Sequence, residues 1–376
     1  MRSRALVLDA ATRQSMVAIR CLSRRGVSVI AGAYRPRAAG SLSKHADGRF
    51  TYPAPWEDPP GFASALRAEV ADGEYDAVLV SRETTAEIVV ENRDVLADDV
   101  GLPLPSAETL AVGLDKTRTM EAAADASLPH PRTLAPGELD REAVEETVAY
   151  PAVVKPRRSH GREGVSICES FAELERAVDR MTRRHGPVLV QEYVPNGGEV
   201  GAYLVYDFDS RLRAGTVQER VRSHPPAGGA STCRRTIADE DVLERAHELL
   251  SGLDWQGAAM VEFRVDPRDG EPKVLEINPR LWGSLSLSVA AGVDVPYLLY
   301  QLGDEGRCDS VPTYRPGVYA RRVCGELGHV LAREDTVAAV RDVLRPTPGP
   351  CTFDVVSWDD PLPTVGHFME ITPWPT

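Results

Sequence analysis

Apolar positions in the first hundred residues follow two periods in alternation. Residues 5–9 (ALVLD), 27–31 (VSVIA) and 76–80 (DAVLV) are short apolar runs of strand type. Between them, residues 14–25 place Ala18, Ile19 and Leu22 at helical spacing ahead of Gly26, and residues 62–71 read as a second helix. Strand and helix in alternation predict a parallel α/β sheet of Rossmann type. The turn after the first strand, Asp9-Ala10-Ala11-Thr12-Arg13-Gln14, has no GxGxxG pattern, so a dinucleotide site of the usual kind is not expected.

Beyond residue 102 the pattern changes to α+β. Prolines at 103 and 105 lead into a helix from about Ser106, and a second helix is predicted over 116–126 with Asp115 as its cap. Residues 151–155 (PAVVK), 165–167, 188–192 (VLVQE) and 202–207 (AYLVYD) read as strands, and 171–184 as a helix with Leu174, Val178 and Met181 inward. Residues 257–265 (GAAMVEFRV) and 273–277 (KVLEI) are strands joined by the turn-rich Asp266-Pro267-Arg268-Asp269-Gly270. The segment from about Val311 is rich in proline and is expected to form a small, irregular lobe.

The hairpin at 257–277 concentrates the chemistry. Centred near Asp269, it sets Glu262 opposite Glu276, where like charges ~4.5–5.5 Å apart at Cβ repel. A cation between them would relieve that. Asn278 and Arg280 follow Glu276 at intervals of two and so share its face. Two carboxylates and an amide oxygen suit Mg²⁺ completed by phosphates, and the Arg280 fork suits a phosphate.

Composition narrows the classes. A chain of 376 residues, 43% apolar and 26% charged, is globular and long enough for two or three domains. No apolar stretch nears the ~20 residues of a membrane span. The opening MRSRALVLDA lacks a signal-peptide pattern, so a cytoplasmic location is expected. The six cysteines show no metal or disulfide spacing. A net charge of −13 argues against sequence-independent nucleic-acid binding. Of 43 basic residues only Lys44, Lys116, Lys155 and Lys273 are lysines, which marks each as a candidate for work needing a compact ammonium.

Two of these lysines sit in suggestive places. Lys155 ends a strand ahead of a loop containing Ser159, Gly161 and Gly164, whose backbone N–H groups can approach phosphate oxygens. Lys116 begins a helix, where an exposed lysine would serve as well. Gln191, Glu192 and Val194 leave a strand as extended backbone able to meet an adenine edge, and Glu199 could take ribose hydroxyls; a plain β-turn is the alternative.

In order and approximate spacing, Asp115-Lys116, Val153-Val154-Lys155-Pro156, the glycine loop, Gln191-Glu192-Tyr193-Val194, Glu199, Glu262 and Glu276-Ile277-Asn278-Pro279-Arg280 resemble the ATP-grasp superfamily of carboxylate–amine ligases. The likeness is nearest to the carbamoyl-phosphate synthetase large chain and related ligases, and covers most of the chain. It implies a Rossmann-like domain over 1–105, grasp subdomains over 106–190 and 191–310, and a small lobe over 311–376. It further implies that Lys116 and Lys155 hold ATP phosphates and that Gln191 to Val194 bind adenine. Glu199 would bind ribose, and Glu262, Glu276 and Asn278 two Mg²⁺, with Mn²⁺ as a substitute. Arg280 would hold the transferred phosphoryl group. Gln191 departs from the usual glutamate, and the glycine loop is unusually charged. With one copy of the grasp unit and no glutaminase domain, carbamoyl-phosphate synthesis itself is not expected.

The implied function is an ADP-forming ligase working through an acyl phosphate on a small acid or amino-acid-like substrate. A kinase-like enzyme and a non-catalytic nucleotide sensor are the alternatives. Arg220 and Arg222, two apart on a strand and so expected on one face, bracket a Pro225–Gly229 loop with Arg234 and Arg235; Arg220, Arg222 and Arg234 are candidates for a carboxylate clamp, although a solvated arginine-rich surface fits equally well. Trp282 and Ser284 are expected at the acceptor pocket, with core packing and helix capping as their alternatives. The partners expected are small carboxylates and amines, with no membrane or nucleic acid, in a chain that could pair as a homodimer.

Overall fold

A computed structural model describes residues 3–96, 98–135, 140–159, 164–225 and 229–371. Fifteen strands in these segments form three sheets. In the first, β1 (Arg4–Val7), β2 (Ser28–Ala33), β3 (Gly48–Thr51) and β4 (Ala77–Leu79) are all parallel, in the order β3-β2-β1-β4. Helices Arg13–Arg24 and Pro59–Gly73 make the crossovers. Thr12 caps the first through the Ser15 N–H, and Gly26 closes it at φ +83°, in the left-handed region open to glycine. Because β1 and β4 are parallel neighbours, the turns that follow them lie side by side. Asp9 joins these turns, accepting from the Ser81 and Arg82 N–H groups at 3.1 and 2.9 Å.

The second sheet is antiparallel and has the order β5-β8-β6-β7: β5 (Thr133–Leu134), β6 (Ala152–Pro156), β7 (Ser166–Cys168) and β8 (Val188–Glu192). Helix Phe171–His185 covers one face with Leu174, Ala177 and Met181. The third is a seven-stranded sheet of β9 (Glu199–Tyr206), β10 (Leu212–His224), β11 (Ala230–Thr236), β12 (Gly257–Val265), β13 (Pro272–Asn278), β14 (Tyr319–Arg321) and β15 (Cys351–Phe353). Its order is β13-β12-β9-β10-β11-β14-β15. One face buries Leu204, Tyr206 and Phe263 against helix Glu240–Ser251, which Asp239 caps. The other buries Tyr203 and Val205 in a core shared with Val7, Ala18 and Leu22 of the first sheet's layer. That shared core fixes the parallel sheet against the large one.

The expected irregular lobe beyond residue 311 is corrected by the structure. β14 and β15 extend the large sheet, and helices Val323–Leu331, Thr336–Leu344 and Leu362–Ile371 follow the same segment. Prolines punctuate this region between short helices without entering their interiors past the first turn, so proline content hid regular structure.

A buried ion pair draws the segment back onto the first helix. Arg20 Nε donates to Asp360 Oδ2 at 2.8 Å, Arg20 Nη1 donates to the Val355 carbonyl, and Ser43 Oγ adds a 2.7 Å bond to the same carboxylate. Arg20→Met is expected to cost about 3–5 kcal/mol in urea unfolding, since it strands the buried Asp360 charge. A loss below about 1 kcal/mol would place the staple among dispensable surface pairs.

Candidate active site

A cavity of about 690 Å³ is lined by residues of the second and third sheets and by segments outside the strands of the first, among them the turns after β1 and β4. This is within the usual range for small-molecule sites. The wall on the large sheet carries the β12–β13 hairpin, where Glu262 pairs directly with Glu276 in antiparallel register. This is the register that a turn centred near Asp269 demands. Burial and then the Glu276 charge push the Glu262 carboxyl well above the usual carboxylate range. Asn278 Nδ2 donates to Glu276 Oε1 at 3.3 Å. Arg280 donates from Nη2 to Asn278 Oδ1 at 3.1 Å and from Nε to Glu83 Oε1 at 3.0 Å.

Two lysines converge on this wall from separate elements. Lys116, the first residue of helix Lys116–Asp125, is buried; its Nζ lies 3.5 Å from Glu276 Oε2 and donates to the Ser159 carbonyl at 2.8 Å. Asp115 caps that helix and also takes the Arg157 guanidinium, which ties the helix start to the β6–β7 loop. Lys155, on β6, is pushed down to about 7, first by burial and then by the Lys116 charge, with Glu276 opposing. Two crowded ammonium groups thus face two crowded carboxylates. A polyphosphate with a divalent cation would relieve both repulsions at once, so these residues fit such a ligand. Among the described residues no group of three or more His, Cys, Asp or Glu is placed to hold a metal. Two carboxylates and an amide are a sparse set of the kind Mg²⁺ accepts when phosphates complete its shell.

Beside Lys155 the lining turns apolar, with Val153, Ile167, Val194 and Leu275 next to Gln191 and Glu192. Gln191 Nε2 donates to Thr133 Oγ1, while Glu192 is held low by its bonds to Arg268 and Arg132, which outweigh partial burial. Glu199 also reaches the cavity, its carboxylate bridging Arg220 Nη1 at 2.5 Å and Arg264 Nη2 at 2.6 Å. Gly161 lies outside the described residues. Gly164 adopts φ +74° against Pro156 and His185 and is not among the residues that line the cavity.

Of the expected arginine clamp, Arg220 and Arg234 are cross-strand partners that both line the cavity, and Arg222 is not among the lining residues. A bulge between Arg220 and Arg222 puts an extra residue into β10, so the two arginines lose their common face. Arg220 turns to Glu199 and Glu262, whereas Arg222 pairs with Glu326 at 2.7 Å, outside the cavity lining. Arg234 does face the cavity, with Asp354 as its ion partner. Trp282 is likewise corrected: it is wholly buried, tilted against Tyr203 at 5.0 Å between ring centres. Ser284 precedes helix Leu285–Ala290, makes no side-chain cap bond and lines the cavity.

Several lining residues escaped the sequence reading. Thr12, Arg13 and Gln14 follow β1, and Ser81, Arg82 and Glu83 follow β4. Their signal was present, because ligands in parallel sheets gather beyond the carboxyl ends of the strands. These turns carry no GxGxxG pattern, so a glycine motif alone does not mark them. His367, from the last helix, had no local signal.

The chain is similar to known proteins in sequence and in fold. Residues 169–324 match the family model for "ATP-grasp in the biosynthetic pathway with Ter operon". The chain is 31% identical over 240 residues to D-alanine–D-alanine ligase of Mycobacterium ulcerans, a match covering 54% of this chain and 61% of the relative. It is 28% identical over 296 residues to the carbamoyl phosphate synthase large chain of Halobacterium salinarum, covering 75% and 27% respectively. The chain therefore spans less than two thirds of each of these relatives. The biotin carboxylase domain of Hydrogenobacter thermophilus 2-oxoglutarate carboxylase, solved with MgADP and bicarbonate, superposes with a TM-score of 0.68 at 16% identity, over 84% of this chain and 73% of that one. For the L-amino acid ligase of Bacillus licheniformis the TM-score is 0.64 at 18% identity, over 84% and 78%. At such identities the likeness is one of fold. The chain carries an ATP-grasp domain.

The raised Glu262 pKa has a stability consequence. A carboxyl that holds its proton more tightly when folded favours the folded state at low pH, and that contribution is lost as pH rises through the folded value. In EDTA, Glu262→Gln is therefore expected to melt above the wild type at about pH 8, by about 2–4 °C per kcal/mol relieved, with the gap closing near about pH 5. An equal gap at both pH values would show that Glu262 is not strained by its neighbours.

Proposed function

We propose that the chain is an ADP-forming ligase that joins a small, amino-acid-like carboxylic acid to an amine through an acyl phosphate. The observation that supports this most is the facing of Lys116 and Lys155 against Glu262, Glu276, Asn278 and Arg280 on the walls of one cavity. In this reading residues 1–105 are a Rossmann-like domain, favoured by the parallel order β3-β2-β1-β4. Residues 106–190 and 191–310 are the two grasp subdomains.

Lys116, Lys155 and Ser159 would hold the ATP phosphates. The Gln191–Val194 backbone beside Val153 and Ile167 would take adenine, and Glu199 the ribose. Glu262, Glu276 and Asn278 would hold two Mg²⁺, and Mn²⁺ suits the same oxygen donors. Bound metal would neutralise phosphate oxygens and so ease nucleophilic attack on phosphorus. The chain's own part is positioning and charge. A substrate carboxylate oxygen attacks the γ-phosphorus, the bond to the β-phosphate oxygen breaks and ADP leaves. An amine then adds to the acyl carbon, phosphate departs, and the amine's proton is lost. Arg280, steadied by Glu83 and Asn278, would hold the transferred group.

Glu276→Ala is expected to lower ADP release by roughly a hundred-fold or more, as loss of a preorganised charge at the reacting centre does. Near wild-type turnover would overturn the metal assignment. ADP release that depends on acid alone, with no amide formed when amines are supplied, would favour a kinase over a ligase.

Nucleotide holding can be read separately. Lys155→Ala is expected to weaken ATP binding by about ten- to a hundred-fold, the worth of one charge-assisted bond. Lys44→Ala, at an exposed residue far along the sequence from both motif lysines, should leave it unchanged. Equal affinities for the two variants by calorimetry would remove Lys155 from the nucleotide site.

A further inference from the structure

Across the large sheet from the carboxylate hairpin lies a second charged cluster of opposite sign. Arg234 on β11 is three strands from Glu262 on β12, roughly 14 Å at ~4.8 Å per strand. Its Nη2 bonds Asp354 Oδ1, while Arg13 Nη1 bonds Asp354 Oδ2 at 2.9 Å and Ser286 Oγ adds a bond at 2.8 Å. The charge of Arg322 is felt by Arg13 and Asp354 alike. Two guanidinium groups therefore share one buried carboxylate, with the charge of a third close by. Charge buried in such surplus is costly unless a further anion meets it.

The donors of this cluster are not used up. Arg234 is 3% exposed, and its Nε has no hydrogen-bond partner. The same holds for Arg322 Nε and His367 Nδ1. Arg13, Arg234 and His367 line the cavity together with Gly283 and Ser284. A Cβ on Gly283 would come within 2.8 Å of the Arg13 guanidinium, so glycine there keeps the space the arginine needs. Burial and the Arg13 and Arg322 charges push His367 down to about 4, which leaves its ring neutral at neutral pH and able to donate or accept.

We propose that this end of the cavity docks an anionic group, a carboxylate or a phosphate, that belongs to a substrate and takes no part in the bond made. Arg13 and Arg234 supply its charged contacts, and Ser284 and His367 supply neutral ones. Asp354 holds the two arginines in place and offsets one of the three positive charges, leaving the remainder for the ligand. The substrate role rests on the ligase reading; the binding site does not.

Calorimetry on the full chain separates the two. With the nucleotide site saturated by a non-hydrolysable ATP analogue and Mg²⁺, succinate and inorganic phosphate are titrated in turn, which distinguishes a carboxylate site from a phosphate site. The wild type is expected to bind at least one of them below about 10 mM, and Arg13→Met to weaken that binding at least ten-fold with ATP affinity unchanged. Binding of neither anion, or equal binding by wild type and variant, overturns the proposal and leaves the ligase reading standing. Anion binding that depends on Arg13 in a chain that fails to bind ATP would do the reverse. Should Arg13→Met not fold, Ser284→Ala leaves the ion cluster whole and is expected to weaken the same anion several-fold; no change in that variant overturns the site.

Discussion

Two carboxylates held opposite each other on one hairpin are the constraint around which the site is arranged. Glu262 and Glu276 are direct cross-strand partners, and neither can turn away without leaving the wall of the cavity. Left alone, the pair would resist folding; burial first and the Glu276 charge second raise the Glu262 pKa. The surrounding chain offsets it with cations from four separate elements: Lys116 from a helix start, Lys155 from β6, Arg220 from β10 and Arg280 beyond β13. Lys116 and Lys155 then repel each other, which adds to burial in lowering the Lys155 pKa. Charges of both signs are thus crowded together but incompletely cancelled, which is the condition under which a charged ligand gains most by entering.

What could be read from the sequence was what depends on neighbours along the chain. The Glu262–Glu276 register followed from alternation and one turn, both local, and the residues that share a face with Glu276 followed from a period of two. The helix at 13 followed from the spacing of Ala18, Ile19 and Leu22 ahead of Gly26, and the helix at 116 from its cap, Asp115. The same rule of two failed for Arg220 and Arg222, because a bulge adds a residue without any mark in the local pattern. Trp282 failed for a different reason. Its burial against Tyr203 is decided by how the large sheet meets the first layer, a long-range event that the sequence NPRLWGS does not encode. The segment after 311 misled through composition, since proline between short helices looks much like proline in a loop.

The turns after β1 and β4 show a third kind of miss. Lack of a GxGxxG pattern rules out one ligand mode and no more. Yet a parallel sheet gathers its strand ends at one edge whatever the loops contain, and that edge faces the cavity. Here the loops bring charged and polar side chains in place of bare backbone. Arg13 and Glu83 are the consequence: one reaches Asp354, the other orients Arg280.

Asp354 explains why these loops and the segment past β15 are needed together. It is buried, accepts Arg13 from the first layer and Arg234 from the large sheet, and follows the edge strand directly. The Arg20–Asp360 pair lies a few residues further on and fixes the same segment to the same helix, one and a half to two turns beyond Arg13. With both pairs made, the segment cannot swing without breaking two buried ion pairs, so the arginines facing the cavity are held rather than mobile. The lysines and carboxylates that would handle nucleotide are supplied by residues 116–280, whereas this cationic end depends on residues 13, 234 and 354–367. The residues that would handle nucleotide and those that would dock an anion therefore come from largely separate stretches of chain, and substitutions around Arg13 or His367 leave the Lys116–Glu276 contact untouched.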